Sequence, residues 1–429
     1  MRRSWVALAI LGLALLLGLA ARSSMSPVGQ RIWFSISYLF IILFVLSYFW
    51  TWVNVNGVEI IRQTHAEHTQ VGGVVEERFV VHNATFLPKL WLEVRDHSTL
   101  PHHHTSRVIA SLGSRQRRGW TVRTFCRRRG RFILGPLTII SGDPFGLFER
   151  RRELSDTSTI VVYPATVDLP RFAIPIGDLP GGGTMRRRTH YVTTNVAGVR
   201  DYYPGDSFHR IHWPSTARTG RLIVKEFELD PTADVWLFVD MQSRVHFGLV
   251  TEEIEVPEPA LLAKKPTSLM DPTTEEYTVT IAASLAKHFL SENRAVGLVA
   301  YAQQRQVLPA DRGERQLSKI LEMLAVTRAQ GTIPLATILS AEGAMLGRNT
   351  SVVAITPSAE VEWVEVLRDL SRRDIRGVAV VIDPESFGGP VGTEPLLAVL
   401  AQNGLPAYRV RQGDDLRVVL SQRAWWEGV

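Results

Sequence analysis

Acidic and imidazole side chains gather near the middle of the chain, where their types could support acid/base chemistry. Asp206, His209 and His212 stand close together in sequence, and histidine with a carboxylate is a common pair for moving protons. Closeness in sequence does not align three side chains in space, and the sequence has no Gly-x-Ser-x-Gly elbow to expose a nucleophile. A metal-dependent or acid/base hydrolase is therefore the alternative interpretation of this stretch.

The pattern around these residues predicts a compact, turn-rich hairpin. Residues 204–206 form a turn, because proline fixes its own φ and glycine accepts a positive one. Residues 211–213 and 222–224 have strand character, with a bend at Thr219 and Gly220. The high charge density fits either a buried ion-pair network that ties two domains together or an exposed binding surface.

Two folded parts must position this stretch. Short β-rich runs separated by turn residues extend from Gly57 to about Pro164 and predict a small β-sandwich. From Ala233 onward strands and helices alternate, which predicts a doubly wound α/β domain that binds ligands at the carboxyl ends of its strands. The predicted sandwich strands cover residues 74–83, 90–96, 119–125 and 131–140. The predicted α/β strands cover residues 235–240, 295–302, 351–356, 377–383 and 407–411, with helices at 273–293, 315–328, 333–346, 361–373 and 394–403.

The N-terminus carries two apolar runs, at residues 5–21 and 32–53. Each approaches the roughly 20 residues that cross a bilayer, and Trp33 and Trp52 near the ends of the second run fit interfacial belts. We therefore predict two N-terminal transmembrane helices. A cleavable signal peptide is the alternative for the first run, and a buried core helix is the alternative for the second.

These patterns predict a membrane-anchored, multidomain chain. Its parts are a transmembrane hairpin anchor at residues 1–56, a β-sandwich domain at 57–165, a linker with the central stretch at 166–232, and an α/β domain at 233–429. We expect a multi-pass protein of the cell membrane with a cytoplasmic body. The single cysteine, Cys126, cannot form an internal disulfide, which is compatible with that location.

Charge gives limited information about partners. The 429-residue chain has a net charge of +6, a modest surplus for its length, and no nucleic-acid-reading module is recognisable, so we expect no nucleic-acid partner. Eight arginines cluster between Arg115 and Arg131. This cluster fits a charged, solvated sheet edge or a surface for anionic lipid or protein.

His102, His103 and His104 are potential metal ligands. Adjacent residues on an extended chain point to opposite sides, so the three cannot meet at one ion without a special turn. We predict a loop here rather than a metal site, and we expect no cofactor.

The central stretch contains Arg-x-Tyr-x-x-Gly-Asp, from Arg200 to Asp206, and Ala-Arg-x-Gly-x-Leu, from Ala217 to Leu222. Together with Arg210, Ile211 and Trp213 between them, these elements resemble the defining motif of the bacterial and archaeal family catalogued as domain of unknown function 58. Segments 129–137 and 143–148 also look like that family. The candidate binding or structural motif comprises Arg200, Tyr202, Gly205, Asp206, Arg210, His212, Trp213, Arg218 and Lys225.

The resemblance implies a C-terminal domain like the von Willebrand factor A fold. That fold often holds magnesium through an Asp-x-Ser-x-Ser loop, a threonine and a later aspartate, which are oxygen ligands suited to a hard cation. Asp240 and Thr332 are the degenerate candidates here, because Gln242 and Arg244 replace the serines and residues 356–358 offer no carboxylate. We therefore favour a metal-free fold.

The leading hypothesis is a membrane-tethered, non-enzymatic binding or adaptor protein. The resemblance implies association with AAA+ ATPases of the MoxR type, in protein assembly or maturation. The expected partners are thus the membrane and such an ATPase, with a client protein that the sequence does not identify.

Either interpretation of the first apolar run places the soluble body on the same side of the membrane. A green fluorescent protein fused after Gly57 should therefore fluoresce, and alkaline phosphatase fused at the same point should be inactive. Active phosphatase together with a dark fluorescent fusion would place the body outside.

Overall fold

A computed structural model describes residues 2–23, 27–64, 66–172, 196–202, 211–227, 234–248, 271–348 and 350–422. The segment 249–270 and the residues of the turn predicted at 204–206 lie outside these ranges. The fold follows from the elements within them.

Two helices, α1 (Arg2–Ser23) and α2 (Pro27–Val55), pack against each other at the N-terminus. The Ser37 hydroxyl donates a hydrogen bond to the Ala14 carbonyl, at 2.8 Å. Among the described residues, α2 alone is long and apolar enough to cross a membrane, whereas the apolar part of α1 at Gly12–Arg22 is shorter. One N-terminal apolar helix, fit for an anchor or a signal segment, is thus present where the sequence predicted two spans.

Two antiparallel sheets face each other after α2 and form the predicted sandwich. The first contains β1 (Val58–Thr64), β3 (Val74–Asn83) and β6 (Arg117–Phe125), and the second contains β4 (Lys89–Asp96), β5 (Arg107–Leu112), β8 (Leu137–Gly142) and β9 (Glu149–Leu154). Alternate residues of each strand enter the shared core, including Phe79, Leu92 and Ile139. Trp120 stacks on Phe79 with ring centroids 5.3 Å apart.

A third small sheet contains β2 (His68–Gln70), β7 (Gly130–Leu134) and β10 (Ser158–Tyr163). The single strand predicted at residues 131–140 is therefore wrong, since it divides into β7 and β8, which belong to different sheets. Gly135 has a φ of +89°, a backbone conformation that favours glycine, and Pro136 has no N–H to donate to a ladder. The two residues redirect the chain from one sheet to the next.

Between the sandwich and the α/β part, β11 (Val196–Asp201) pairs antiparallel with β12 (Ile223–Phe227), and α3 (Trp213–Thr219) lies between them in sequence. We call these three elements, together with the described residues 202, 211, 212 and 220–222 that adjoin them, the hairpin-helix unit. It contains the described members of the candidate motif.

The α/β part is built on a sheet of strand order β15-β14-β13-β16-β17-β18, with β15 antiparallel and the others parallel. Successive residues of β13 enter apolar clusters on opposite faces, Leu237 in one and Phe238 in the other, as a doubly wound sheet requires. Its strands are β13 (Val235–Val239), β14 (Val296–Tyr301), β15 (Arg305–Asp311), β16 (Ser351–Thr356), β17 (Arg376–Ile382) and β18 (Ala407–Val410). Its helices are α4 (Thr274–Ser291), α5 (Glu314–Val326), α6 (Leu335–Gly343), α7 (Glu362–Ser371), α8 (Glu394–Gln402) and α9 (Leu416–Val419).

The sequence missed β15. None of the residues of this edge strand is fully buried, and polar residues flank a short apolar piece that includes Pro309, which an edge tolerates because one side of the strand pairs with no neighbour. It therefore lacks the apolar run that revealed the central strands.

A buried ionic cluster lies within the sandwich, and His103 belongs to it. Arg62 Nη2 lies 2.6 Å from Glu77 Oε2 and 3.4 Å from Asp96 Oδ2. His103 Nε2 lies 2.8 Å from Glu77 Oε2, and its Nδ1 lies 2.7 Å from the Thr124 hydroxyl. The three histidines lie in the loop expected from the sequence. Glu77, Asp96 and His103 are close enough to hold a metal ion, but the Arg62 guanidinium already supplies a cation to both carboxylates.

The acid stability of the sandwich should depend on Glu77. Burial alone would raise the pKa of Glu77, but hydrogen bonds from His103 and Arg62 and the charge of Arg62 lower it from 4.5 to about 2. This lowering stabilises the fold fully above pH 4.5, and the contribution is lost as the pH falls toward 2. The difference corresponds to about 3 kcal/mol.

Glu77→Gln should therefore lower the free energy of unfolding by about 3 kcal/mol at neutral pH and weaken its decline with acid. The matched control is Glu76→Gln, because Glu76 is exposed and pairs with Arg123 at 2.8 Å. Urea unfolding of the two variants between pH 7 and pH 3 makes the comparison. Equal stability and equal acid dependence in both would contradict the role given to Glu77.

Candidate functional site

The hairpin-helix unit carries the candidate motif, and its geometry corrects one prediction. Ile211 forms an isolated bridge with Val224, but Trp213 begins a helix and does not continue a strand. Pro214 favours this start, because the first turn of a helix needs no N–H from proline. The helix ends at Gly220, which has a φ of +67° and donates its N–H to the Thr216 carbonyl at 2.9 Å.

The unit has an apolar side and an exposed side. Ile211, Ile223 and Val224 are buried, whereas Trp213 is 64% exposed and Leu222 is 39% exposed. Arg218 on α3 is also exposed. A tryptophan, a leucine and an arginine thus meet solvent on one small unit.

Of the remaining motif residues, some are described by the structure and the others lie outside the described residues. Tyr202 accompanies the hairpin, donating its backbone N–H to the Leu222 carbonyl at 2.9 Å. His212 donates its N–H to the Ile223 carbonyl at 2.7 Å, and its Nδ1 lies 2.7 Å from the Ser215 hydroxyl. His212 is therefore hydrogen-bonded within the turn that leads into α3. Outside the described residues lie Gly205, Asp206, His209 and Arg210, and also the side chains of Arg200 and Lys225.

The degenerate metal candidate Asp240 lies at the carboxyl end of β13 and is fully buried. Its Oδ2 accepts a hydrogen bond from the Thr356 hydroxyl at 2.6 Å, and its Oδ1 accepts one from the Gln242 N–H at 3.0 Å. Burial raises the pKa of Asp240, partly offset by the Thr356 hydrogen bond. Thr332 is exposed, by contrast. The Asp240 carboxylate thus ties together the ends of β13 and β16.

A second carboxylate, Asp383, follows β17 at the same end of the sheet and was not singled out from the sequence. It is buried, and its Oδ2 lies 2.7 Å from Arg409 Nη2 and 3.5 Å from Arg411 Nε. The signal available in the sequence was its position directly after an apolar strand. The arginines of this ion pair hold the ends of β17 and β18 together.

Arg129 is the functional residue that sequence reasoning missed. It belongs to the arginine cluster, but its side chain is completely buried between the sandwich and the α/β part. Its Nη2 donates to Glu275 Oε1 at 2.6 Å and to the Thr327 carbonyl at 2.9 Å, and its Nε donates to the Leu324 carbonyl at 3.1 Å. The cluster was interpreted as a solvated sheet edge or as a surface for anionic lipid or protein. Arg129 is instead enclosed within the chain, because α4 and α5 supply its acceptors.

The surrounding charges complete this contact, which we call the Arg129 latch. Arg129 also pairs with Glu276, and Arg328 Nη2 donates to the Arg129 carbonyl at 2.8 Å. Burial would raise the pKa of Glu275, but the charges of Arg129 and Arg328 and a backbone hydrogen bond lower it. Burial outweighs the same charges at Glu276 and raises its pKa. The only sequence signal was the position of Arg129 in a segment resembling the family.

Comparison with known proteins gives a family match over part of the chain. The family described as "Protein of unknown function DUF58" matches residues 198–257. The uncharacterized protein YeaD of Bacillus subtilis is 23% identical over 48% of this chain and 45% of its own length. The uncharacterized protein Rv1480 of Mycobacterium tuberculosis is 28% identical over 51% of this chain and 55% of its own length. The chain thus matches about half the length of these curated relatives.

Solved structures resemble the chain only weakly. A CARDB domain from Pyrococcus furiosus, solved with di-metal ions, is 14% identical, with a TM-score of 0.19 over 24% of this chain and 86% of its own. A Paenibacillus cycloisomaltooligosaccharide glucanotransferase is 10% identical, with a TM-score of 0.16 over 81% of this chain and 52% of its own. Scores this low carry no argument about function.

Arg129→Ala should lower the free energy of unfolding by about 3–5 kcal/mol, because it leaves two glutamates without their buried cation. The control is Arg131→Ala, since Arg131 is exposed and pairs with Glu322 at 3.2 Å, a contact worth about 0–1 kcal/mol. Denaturant unfolding of the full chain measures both. Similar losses in the two variants would show that the latch does not hold the parts together.

Proposed function

We propose that this chain is a membrane-tethered, non-enzymatic binding protein that presents the hairpin-helix unit to a protein partner. The observation that carries the proposal is the 64% exposure of Trp213, on a small unit that also exposes Leu222 and Arg218. Tryptophan and arginine are enriched among the residues that dominate binding energy at protein interfaces. An exposed tryptophan at the start of a short helix does little for the stability of the fold, so a partner that buries it accounts better for its position.

The α/β part and the N-terminal helices fit the role of a scaffold that carries the hairpin-helix unit. We assign the α/β part to the von Willebrand factor A type, on the basis of its doubly wound strand order with one antiparallel edge strand. We assign α1 and α2 to a two-span anchor with the body on the cytoplasmic side, since the two helices pack together and α2 is apolar over a membrane-spanning length.

A binding role also fits the carboxylates of the α/β part. The fully buried Asp240 is held by Thr356 and by the backbone of Gln242, so a substrate in solution does not reach it. Of the three residues suggested for a hydrolase, His212 is the described one, and its ring contacts Ser215 within α3. The partner that we propose, a MoxR-type AAA+ ATPase, rests on the family resemblance.

Trp213→Ala and Arg218→Ala should each weaken capture of a purified MoxR-type ATPase by the full chain at least about tenfold, as loss of an interface hot spot does. Their melting temperatures should stay within a degree or two of the parent, because both side chains are exposed. Arg372→Ala, at an exposed arginine that directly follows α7, is the control and should change neither quantity. Unchanged capture would remove the recognition role, and a large drop in stability for Arg218→Ala would make the motif a fastening between the two parts.

A further inference from the structure

The segment 143–148, which resembled the family but has no role in the proposed binding surface, forms a closed turn between β8 and β9. Asp143 is buried, and its carboxylate accepts hydrogen bonds from the N–H groups of Phe145 at 2.9 Å and Phe148 at 2.6 Å. Gly146 adopts a φ of +72° and donates to the Asp143 carbonyl at 3.2 Å. These bonds fix the turn in one shape with Phe145 at its tip, 60% exposed.

This turn lies beside the apolar helix α2. The Phe148 ring packs edge-on against Phe44, with centroids 5.0 Å apart, and against Tyr48, with centroids 5.6 Å apart. The end of α2 is fixed to the sandwich at the same time. The buried Lys89 donates to the carbonyls of Val53 and Asn56.

The rise of an α-helix shows how far along α2 these contacts lie from its fixed end. Phe44 and Tyr48 precede Val53 by nine and five residues, and an α-helix rises 1.5 Å per residue, so they lie about 14 and 8 Å along the axis from Val53. Phe148 therefore lies beside the apolar stretch of α2 and not beyond its end. If that stretch occupies the bilayer, the turn must enter the bilayer with it.

Trp91 provides an independent observation at the same end of the sandwich. It has a φ of +52°, a rare conformation for a bulky side chain, and it is left out of the ladder between β4 and β5, whose register is the same on both sides of it. The Ser141 hydroxyl holds its carbonyl at 2.9 Å. The strained backbone leaves the indole 41% exposed next to Gly142, where the turn begins. Tryptophan is enriched at the headgroup level of membranes.

We propose that the turn of residues 143–148, with Trp91 beside it, is a second membrane contact that inserts into the interfacial layer of the bilayer. Phe145 is the inserted side chain, and Phe148 holds the turn against α2. The proposal rests on the membrane tether of the proposed function. A bilayer is the occupant because the turn continues the apolar surface of α2, whose spanning window is only 11% buried.

The test uses the full chain in nanodiscs of phosphatidylcholine and phosphatidylglycerol, labelled with the fluorophore NBD on Phe145→Cys. The native Cys126 stays unlabelled, because it is buried and burial raises its pKa to about 12. The control is Ser155→Cys, an exposed position at the opposite end of the β8–β9 hairpin, roughly 20 Å from the turn at the usual strand rise. Spin-labelled lipids and aqueous iodide serve as the two quenchers.

The label at Phe145 should lose most of its emission to spin-labelled lipid and little to iodide, whereas the label at Ser155 should show the reverse. Iodide quenching at both positions in a chain that is retained in nanodiscs overturns the insertion alone. Protection from both quenchers at Phe145 also overturns it, because a protein surface then covers the turn. Failure of the chain to enter nanodiscs at all overturns the tether together with the insertion.

Discussion

A buried arginine costs several kcal/mol of stability unless its charge is paired and its N–H groups are hydrogen-bonded. The relative position of the two folded parts depends on the partners that Arg129 finds across their contact. The sandwich contributes the guanidinium, while α4 contributes Glu275 and Glu276 and the end of α5 contributes carbonyl groups. Neither part satisfies these groups alone. Separation would leave Glu275 and Glu276 without this cation and Arg129 without its acceptors, so the latch favours one relative position.

Two buried carboxylates join strands at the carboxyl end of the central sheet. Asp240 accepts a hydrogen bond from Thr356, and Asp383 is paired with Arg409. The two carboxylates join neighbouring strands, β13 to β16 and β17 to β18. Internal hydrogen bonds and ion pairs therefore hold this edge together through the protein's own side chains.

The sequence predicted secondary structure best where buried apolar residues recur with a regular pattern along the element. The five parallel strands of the doubly wound sheet were predicted within one residue at each end, since parallel strands covered on both faces are apolar, and β3 was predicted at its observed bounds. It was least informative where contacts between distant parts of the chain determine whether a side chain is buried and what it pairs with. Nothing local distinguishes buried Arg129 from exposed Arg131, and Trp213 resembled a strand residue until Pro214 and Gly220 were found to delimit a helix. His103 likewise owes its ion pair to strands far away in the chain.

The clamp between α2 and the sandwich has a mechanical consequence. Lys89 and Asn54 fix the end of the helix to the sandwich, and Phe148 packs against the side of the helix about two turns earlier. The helix and the sandwich are thus attached at two points and should move as one rigid unit. A helix whose apolar length exceeds the local bilayer thickness tilts. Because the two attachment points hold α2 and the sandwich together, tilt of α2 in a thinner membrane would turn the sandwich and the latched α/β part through the same angle.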